Sequence, residues 1–353
     1  MIRAGLIGCG YISHKHVRTL SRMTEISLIA VCDIQPGKMK ETAALYQSEK
    51  SSENEITLYK NYVDLLKDSR IDLVINCTSS GFHYPMTKEA LRYGKHVIVE
   101  KPLTLSLREA DDLIHTADLR KKHIFVCHQL RFRPLMQRIK ELLDQGVLGE
   151  TYMGTVSLRL HRSLDYYTSS NWKGTWEHDG GMLVNQGVHL IDLLIWYLGD
   201  VQSVYGEMVS RAHEKETEDA ACGILSFQNK AMGLIEANTI TKPKNQGYQL
   251  SIFGEKGTIH IGGPGFNEVL HCYIEGLPTV EEELRRLSIQ LDEHERMYQS
   301  FLKTITQQKE NDMSAKEGRR ALETIFALYK SSKKKGPVSL PMGDFSTKDM
   351  LET

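Results

Sequence analysis

The chain has 353 residues, 41% of them hydrophobic and 25% charged, with 44 Lys and Arg against 45 Asp and Glu. That length favours two domains over one continuous core, and a formal net charge of -1 gives a nucleic-acid partner no electrostatic footing. No stretch has the run of about 18 apolar residues that marks a membrane span, so a membrane partner drops out as well. The opening MIRAGLIGCG enters a strand directly, without the basic and apolar regions of a signal peptide. Cys9, Cys32, Cys77, Cys127, Cys222 and Cys272 show neither CxxC pairing nor zinc spacing. They are expected to be reduced core residues of a cytoplasmic protein, with no metal site.

From Ile2 to about Cys127, short β-branched runs (RAGLIGC, SLIAVCD, IDLVINC, KHVIVE and HIFVCH) alternate with amphipathic segments. Near-continuous apolar strands covered by helices mark a parallel α/β sheet, which predicts a dinucleotide-binding domain over residues 1–128. GLIGCGYISHKH places Gly8 and Gly10 after the first strand and before a helix beginning at Tyr11 and Ile12. There a bare backbone can approach a pyrophosphate, whose charge meets the N–H groups of the helix start. Ser13 holds the third fingerprint position, and Gly5 reads as a strand glycine. The second strand ends in AVCD, where Asp33 can accept bonds from an adenosine ribose diol and repel a 2′-phosphate, favouring NAD over NADP. The polar QSEKSSENEI that follows reads as a solvated loop. Thr78, Ser79 and His83 of INCTSSGFHYP stand at a further strand end, where such sheets bind cofactor, although helix capping explains the Ser and Thr nearly as well. Glu100 and Lys101 of VIVEKPL occupy the next strand end. A lysine there can bind a substrate hydroxyl, stabilise its oxyanion and relay a proton.

Around Arg133 the pattern changes. RPLMQRIKELLDQGVLG has Pro134 near a helix start and Gly146 near its end. The runs TYMGTVSLRL, VQSVYGEMVS, AACGILSFQ, AMGLIEANTI, YQLSIFG and GTIHIG then alternate with period two, which suits a largely antiparallel sheet with one wet face. Between the first two lies GGMLVNQGVHLIDLLIWYLG, read as a helix that is apolar on nearly every side. Asn185, His189 and Asp192 fall at i, i+4 and i+7, on one face. Burying them is costly unless each is satisfied or used. Asp192 is expected to fix His189 or a backbone donor. The loop from Arg162 to Asp179 reads as a binding wall, with Tyr166 and Trp172 able to cover a sugar or base face and Lys173 able to meet a diphosphate or uronate. Arg131, Arg159 and His161 join it as substrate-facing candidates, while Trp176 and Trp196 are assigned to packing. Two helical patterns, about 280–308 and 314–332, the solvated SSKKKG and an edge GPVSLP complete a substrate-binding and oligomerisation domain over 129–353. Its tail helices can pack back on the first domain.

In order, GLIGCG, EKPL, QLRFRP, GGMLVNQGVHLIDLLIWYLG, ETEDAACGILSF and EGRRALETIFALYKSSKKKGPVSL resemble the Gfo/Idh/MocA oxidoreductase family over nearly the whole chain. The resemblance implies an α/β fold, with an N-terminal Rossmann domain and a C-terminal α/β domain built on a large open mixed, mainly antiparallel sheet. It also implies bound NAD or NADP, reversible oxidation of a hydroxyl on a sugar, cyclitol or nucleotide sugar, and a homodimer or homotetramer assembled through the open sheet. The family's catalytic lysine maps to Lys101 and its catalytic histidine to His189. Many members have aspartate one turn before that histidine, where this chain has Asn185. A neutral amide can orient a hydroxyl or the histidine but cannot share a proton. NQGVH, with YYTSSNWKGTWEHDGG upstream, is similar to the branch of nucleotide-sugar 3-dehydrogenases acting on UDP-N-acetylglucosamine or its uronic acid.

The expected mechanism has His189 accept the hydroxyl proton as hydride leaves, Lys101 stabilise the alkoxide and Asn185 position the substrate; Lys101 as direct base competes with it. An inositol or free-sugar dehydrogenase is the alternative within enzymes. A non-catalytic NAD-binding sensor is the alternative outside them, and a lyase or glycosidase using NAD transiently is more remote.

Overall fold

The computed structural model describes residues 1–50, 55–212, 214–307 and 313–351. The chain divides into two compact units, Met1–Cys127 with His294–Arg319, and His128–Glu293 with Arg320–Thr353.

The first unit is built on six parallel strands: β1 (Ile2–Ile7), β2 (Ile26–Cys32), β3 (Thr57–Tyr59), β4 (Leu73–Asn76), β5 (His96–Val99) and β6 (Ile124–Val126). Their spatial order is β3-β2-β1-β4-β5-β6. The order reverses beside β1, and open parallel sheets bind ligands in the crevice at such a reversal. The connections carry α1 (Tyr11–Arg22), α2 (Pro36–Lys50), α3 (Tyr62–Lys67), α4 (His83–Arg92) and α5 (Leu107–Arg120). β4 and β6 are buried at every residue, as their unbroken apolar runs require. β3 is only three residues long with none buried, so it leaves no hydrophobic run to read. QSEKSSENEI is not wholly a loop: residues 47–50 close α2, Ile56 is buried, and residues 51–54 lie outside the described residues.

The second unit opens with α6 (Pro134–Asp144). Its strands are β7 (Thr151–Arg159), β8 (Val201–Val209), β9 (Ala220–Phe227), β10 (Met232–Asn238), β11 (Gly247–Gly254), β12 (Gly257–Gly263), β13 (Glu268–Ile274) and β14 (Val338–Ser339). They lie in the order β13-β12-β11-β7-β10-β9-β8-β14. The β7–β10 pairing is parallel and the other described pairings of this sheet are antiparallel. β13 escaped the sequence reading because EVLHCYI is mostly exposed. The loop after β7 holds a short α7 (Leu164–Thr168), and α8 (Val188–Leu198) follows the paired glycines Gly180 and Gly181. The tail comprises α9 (Val280–Ser288), α10 (Glu293–Gln307) and α11 (Ala315–Lys334). The helix predicted over about 280–308 thus breaks at residues 289–292, where Asp292 offers the short acidic side chain that favours a helix start. In SSKKKG only the lysines are solvated; Ser331 and Ser332 are buried, and their hydroxyls accept from Gly206 N and Met208 N of β8.

Strand alternation decides which face of this sheet carries α8. Gly154, Val156 and Leu158 of β7 are buried on the helix side, while Met153, Thr155, Ser157 and Arg159 point to the other face. That second face also carries Cys222 of β9, which is exposed and free, so five of the six cysteines are buried rather than all. No described helix is long and apolar enough to cross a membrane.

Gly154 is where α8 sits closest to the sheet: a Cβ there would lie 2.7 Å from Leu194 Cδ1 and 2.9 Å from Leu198 Cδ2. Gly154→Val is therefore expected to lower the stability to urea by about 1–3 kcal/mol through overpacking; an unchanged midpoint would show that α8 is not seated on β7 in this way.

Candidate active site

At the end of β1 the chain turns with Gly8 at φ 92°, a left-handed conformation that favours glycine. A Cβ at Gly8 would lie 2.7 Å from the Cys77 carbonyl and 2.9 Å from Thr78 N, whereas one at Gly10 would meet nothing within 4 Å. Gly8 thus packs β1 against β4, and Gly10 leaves the start of α1 bare. Gly10 supplies no side-chain cap, so the first N–H groups of α1 are available to an anion. Tyr11 is 94% exposed at that start, and Ile12 is half-buried behind it. Asp33 lies at the end of β2; its Oδ2 accepts from Cys9 N and its Oδ1 from Gln35 N, both at 2.8 Å. Each oxygen keeps a lone pair for a ribose hydroxyl. Thr78 and Ser79 are half-buried, and Thr78 Oγ1 donates to Asn76 Oδ1 at 2.7 Å. A bare helix start and a carboxylate tied to the same turn fit a dinucleotide with a free ribose diol.

Two residues expected at the cofactor point inward instead. His83 is 1% exposed, with Nδ1 2.6 Å from Pro102 O and Nε2 3.0 Å from Thr78 O. It staples the Thr78 turn to the segment after Lys101, and burial pushes its pKa down. Glu100 accepts from His16 Nε2 at 2.9 Å and from the Lys101 amide at 3.2 Å, and His16 Nδ1 is 2.8 Å from the Tyr298 hydroxyl. Burial alone would raise the Glu100 carboxyl, but His16 outweighs it and holds the group at about 2. Lys101 itself is half-buried at the end of β5. His16 and Tyr298 were not foreseen; α1 periodicity marks His16 only as an inward residue, and Tyr298 lies 282 positions away.

In the second unit, residues Leu183–Gly187 form a π turn that leads into α8. The three polar side chains of this segment take different partners. Asp192, 1% exposed, takes a bidentate bond from Arg131 at 2.8 and 2.7 Å, with His128 Nδ1 at 3.5 Å. Burial raises the Asp192 carboxyl, and the charges of Arg131 and His128 more than offset it. Arg131 is also 1% exposed. This corrects one expectation: Arg131 is a buttress and not a substrate contact, its guanidinium committed to Asp192. Asn185 is half-buried, and its Nδ2 donates to Asp179 Oδ1, while Asp179 Oδ2 accepts from Gly174 N at 2.7 Å. His189 is half-buried on α8, with Nδ1 on the inner side.

Glu218, just before β9, holds the entry to the π turn. Its Oε1 accepts from Leu183 N at 2.8 Å and from the Tyr329 hydroxyl at 2.9 Å. Gly181, at φ 98°, lets the chain pass close: a Cβ there would lie 2.5 Å from Glu218 Oε2. Burial pushes the Glu218 carboxyl up to about 7. The loop before the helix is tied to it by Gln186 Nε2, which donates to the Tyr166 hydroxyl at 3.1 Å. Lys173 and Arg162 lie over the Tyr166 ring at 4.3 and 5.1 Å, and Lys173 is 6.0 Å from the Trp172 ring. Tyr166, Trp172 and Lys173 are thus brought together one residue from Asn185. Arg159 is not among them: it pairs with Glu236 at 2.6 Å on the face of the sheet opposite α8. His161 is half-buried, its amide bound to Asn245 Oδ1 at 2.7 Å.

A family model for an oxidoreductase NAD-binding Rossmann fold matches residues 2–128, and one for the C-terminal α/β domain of the same family matches residues 140–340. The chain belongs to the Gfo/Idh/MocA oxidoreductase family, and NAD is the cofactor its Rossmann domain takes. A solved structure of the WlbA dehydrogenase from Chromobacterium violaceum, in complex with NADH and UDP-GlcNAcA, is 31% identical with a TM-score of 0.89, covering 97% of this chain and 96% of that one. The WlbA dehydrogenase from Bordetella pertussis, with the same two ligands, is 28% identical with a TM-score of 0.89, covering 97% and 98%. The myo-inositol 2-dehydrogenase of Thermotoga maritima is 25% identical over 350 residues, covering 96% of this chain and 98% of that one.

The raised Glu218 carboxyl makes stability pH-dependent with a definite sign. An acid held protonated in the fold contributes fully below its unfolded value near 4.5, and that contribution is lost as pH rises to about 7. Unfolding free energy is expected to carry a Glu218 component that falls by at most ~1.4 kcal/mol per pH unit across this window. Glu218→Gln, which keeps an acceptor for Leu183 N, should remove that component; identical slopes for both proteins would refute it.

Proposed function

We propose that the chain oxidises a secondary hydroxyl of a nucleotide sugar of the UDP-N-acetylhexosamine class, reversibly and with NAD. It is coarsely a sugar- or inositol-type dehydrogenase by family. The observation favouring the nucleotide sugar is the likeness, over nearly the full length, to two WlbA dehydrogenases complexed with NADH and UDP-GlcNAcA. The cluster of Arg162, Lys173, Tyr166 and Trp172 beside Asn185 supports it, since cations and aromatic faces suit a diphosphate and a base. The relation to the Thermotoga myo-inositol 2-dehydrogenase keeps inositol as the second reading.

When bound, NAD supplies nicotinamide C4 as the hydride acceptor. The neutral His189 imidazole accepts the hydroxyl proton at Nε2, because Nδ1 faces inward. Lys101 Nζ donates to the same oxygen and stabilises it as it becomes alkoxide-like. Asn185 orients a substrate hydroxyl. Ketone reduction runs through the same groups in reverse.

NADH absorbance, followed with UDP-N-acetylglucosaminuronate, UDP-N-acetylglucosamine, free sugars and myo-inositol, tests this reading. Turnover is expected with a nucleotide sugar, and His189→Ala and Lys101→Ala should each lower kcat roughly 10²- to 10⁴-fold. Wild-type rates in both variants would remove the assignment, and turnover of inositol alone would move the substrate to the second reading.

The sheet face opposite α8 bears on assembly. Tyr205, Ile224, Met232, Leu234 and Phe253 are exposed on it in adjoining register positions. We infer that a second copy of the chain covers this face in a homodimer or homotetramer. Light scattering should find an oligomer that Leu234→Glu dissociates; a monomeric wild type would contradict it.

A further inference from the structure

Asp179 stands outside the roles assigned so far. It is 3% exposed, and both its oxygens are engaged, one by Gly174 N at 2.7 Å and the other by Asn185 Nδ2. An ionised carboxylate only accepts hydrogen bonds, so it admits the Asn185 amide in one orientation, with Nδ2 inward and Oδ1 turned away. We propose that Asp179 is a positioning residue that sets the polarity of Asn185, presenting the amide oxygen as an acceptor to a substrate hydroxyl. The inference rests on the dehydrogenase reading above and adds the carboxylate that stands behind the neutral amide.

Each exchange of acid and amide at these two positions has its own consequence. In Asp179→Asn the new carbonyl still takes Gly174 N–H, and the new amide nitrogen faces Asn185. The Asn185 amide then turns over and offers a donor where an acceptor stood. Asn185→Asp, although it restores the aspartate of many relatives, sets two carboxylates against each other in a buried place, and both cannot ionise without repulsion. The double variant Asp179→Asn/Asn185→Asp has one amide and one carboxylate again. Its amide donates to the carboxylate, whose second oxygen faces outward as an acceptor.

The experiment measures kcat, KM for NAD and melting temperature at neutral pH in all four proteins. Asp179→Asn is nearly isosteric and keeps the Gly174 bond, so a purely structural Asp179 predicts a wild-type kcat. The proposal predicts a loss of roughly 10- to 100-fold in kcat with KM for NAD unchanged. Asn185→Asp should melt on the order of 5 °C lower, and the double variant should regain most of both kcat and melting temperature. A full-rate Asp179→Asn overturns the proposal, as does a double variant that recovers stability without rate. If none of the sugars, nucleotide sugars or myo-inositol tested leads the wild type to reduce NAD, the dehydrogenase reading fails by itself, and recovery of melting temperature in the double variant still decides whether the two side chains are coupled as inferred.

Discussion

A π turn is the constraint on which the second unit's chemistry depends. Such turns interrupt the regular i→i−4 ladder and are found mainly at functional positions. Here the irregular backbone is tied from outside: Glu218 and Tyr329 hold its entry, and Asp179 holds the side chain at its middle. Gly180 and Gly181, both at positive φ, allow the close approach. Beneath the following helix, the Arg131–Asp192 pair fixes rotation about its axis. Removing one partner of such a buried pair costs about 3–5 kcal/mol. Asn185 and His189 stand half-buried on a frame in which the neighbouring charges are already committed.

The first unit follows the same logic. Lys101 is backed by Glu100, whose carboxylate is occupied by His16 and by the Lys101 amide. His83 pins the chain on either side of the strand ends through two carbonyls. In both units inward polar residues position, and the partly exposed residues beside them are the ones proposed to meet ligands: Asp33, Thr78 and Lys101 in one, Asn185, His189 and Lys173 in the other.

The parallel sheet was legible because buried strands write themselves as apolar runs, and the second sheet because its strands alternate. β3, β13 and α7 were not, being short or largely exposed. Residue types at the site were legible while directions were not. Arg131 looked like a substrate contact because its partner lies 61 positions away. Glu100 and His83 looked like cofactor contacts because a strand end does not reveal which side chains turn inward. The polar row of Asn185, His189 and Asp192 was visible, but the partners Asp179 and Arg131 lie outside the helix and leave no periodic signature in it. Asp179 sat within the segment already noted as WEHDGG; its link to Asn185 depends on the glycine-led turn between them.

The central claim is hydride transfer from a nucleotide-sugar carbon, and the most direct measurement is isotope transfer. UDP-N-acetylglucosaminuronate carrying deuterium at C3 would be incubated with the protein and NAD, and the reduced cofactor examined by mass spectrometry. The account predicts that deuterium appears in the reduced nicotinamide. Unlabelled cofactor from this substrate, with label transferred from deuterated myo-inositol instead, would contradict it.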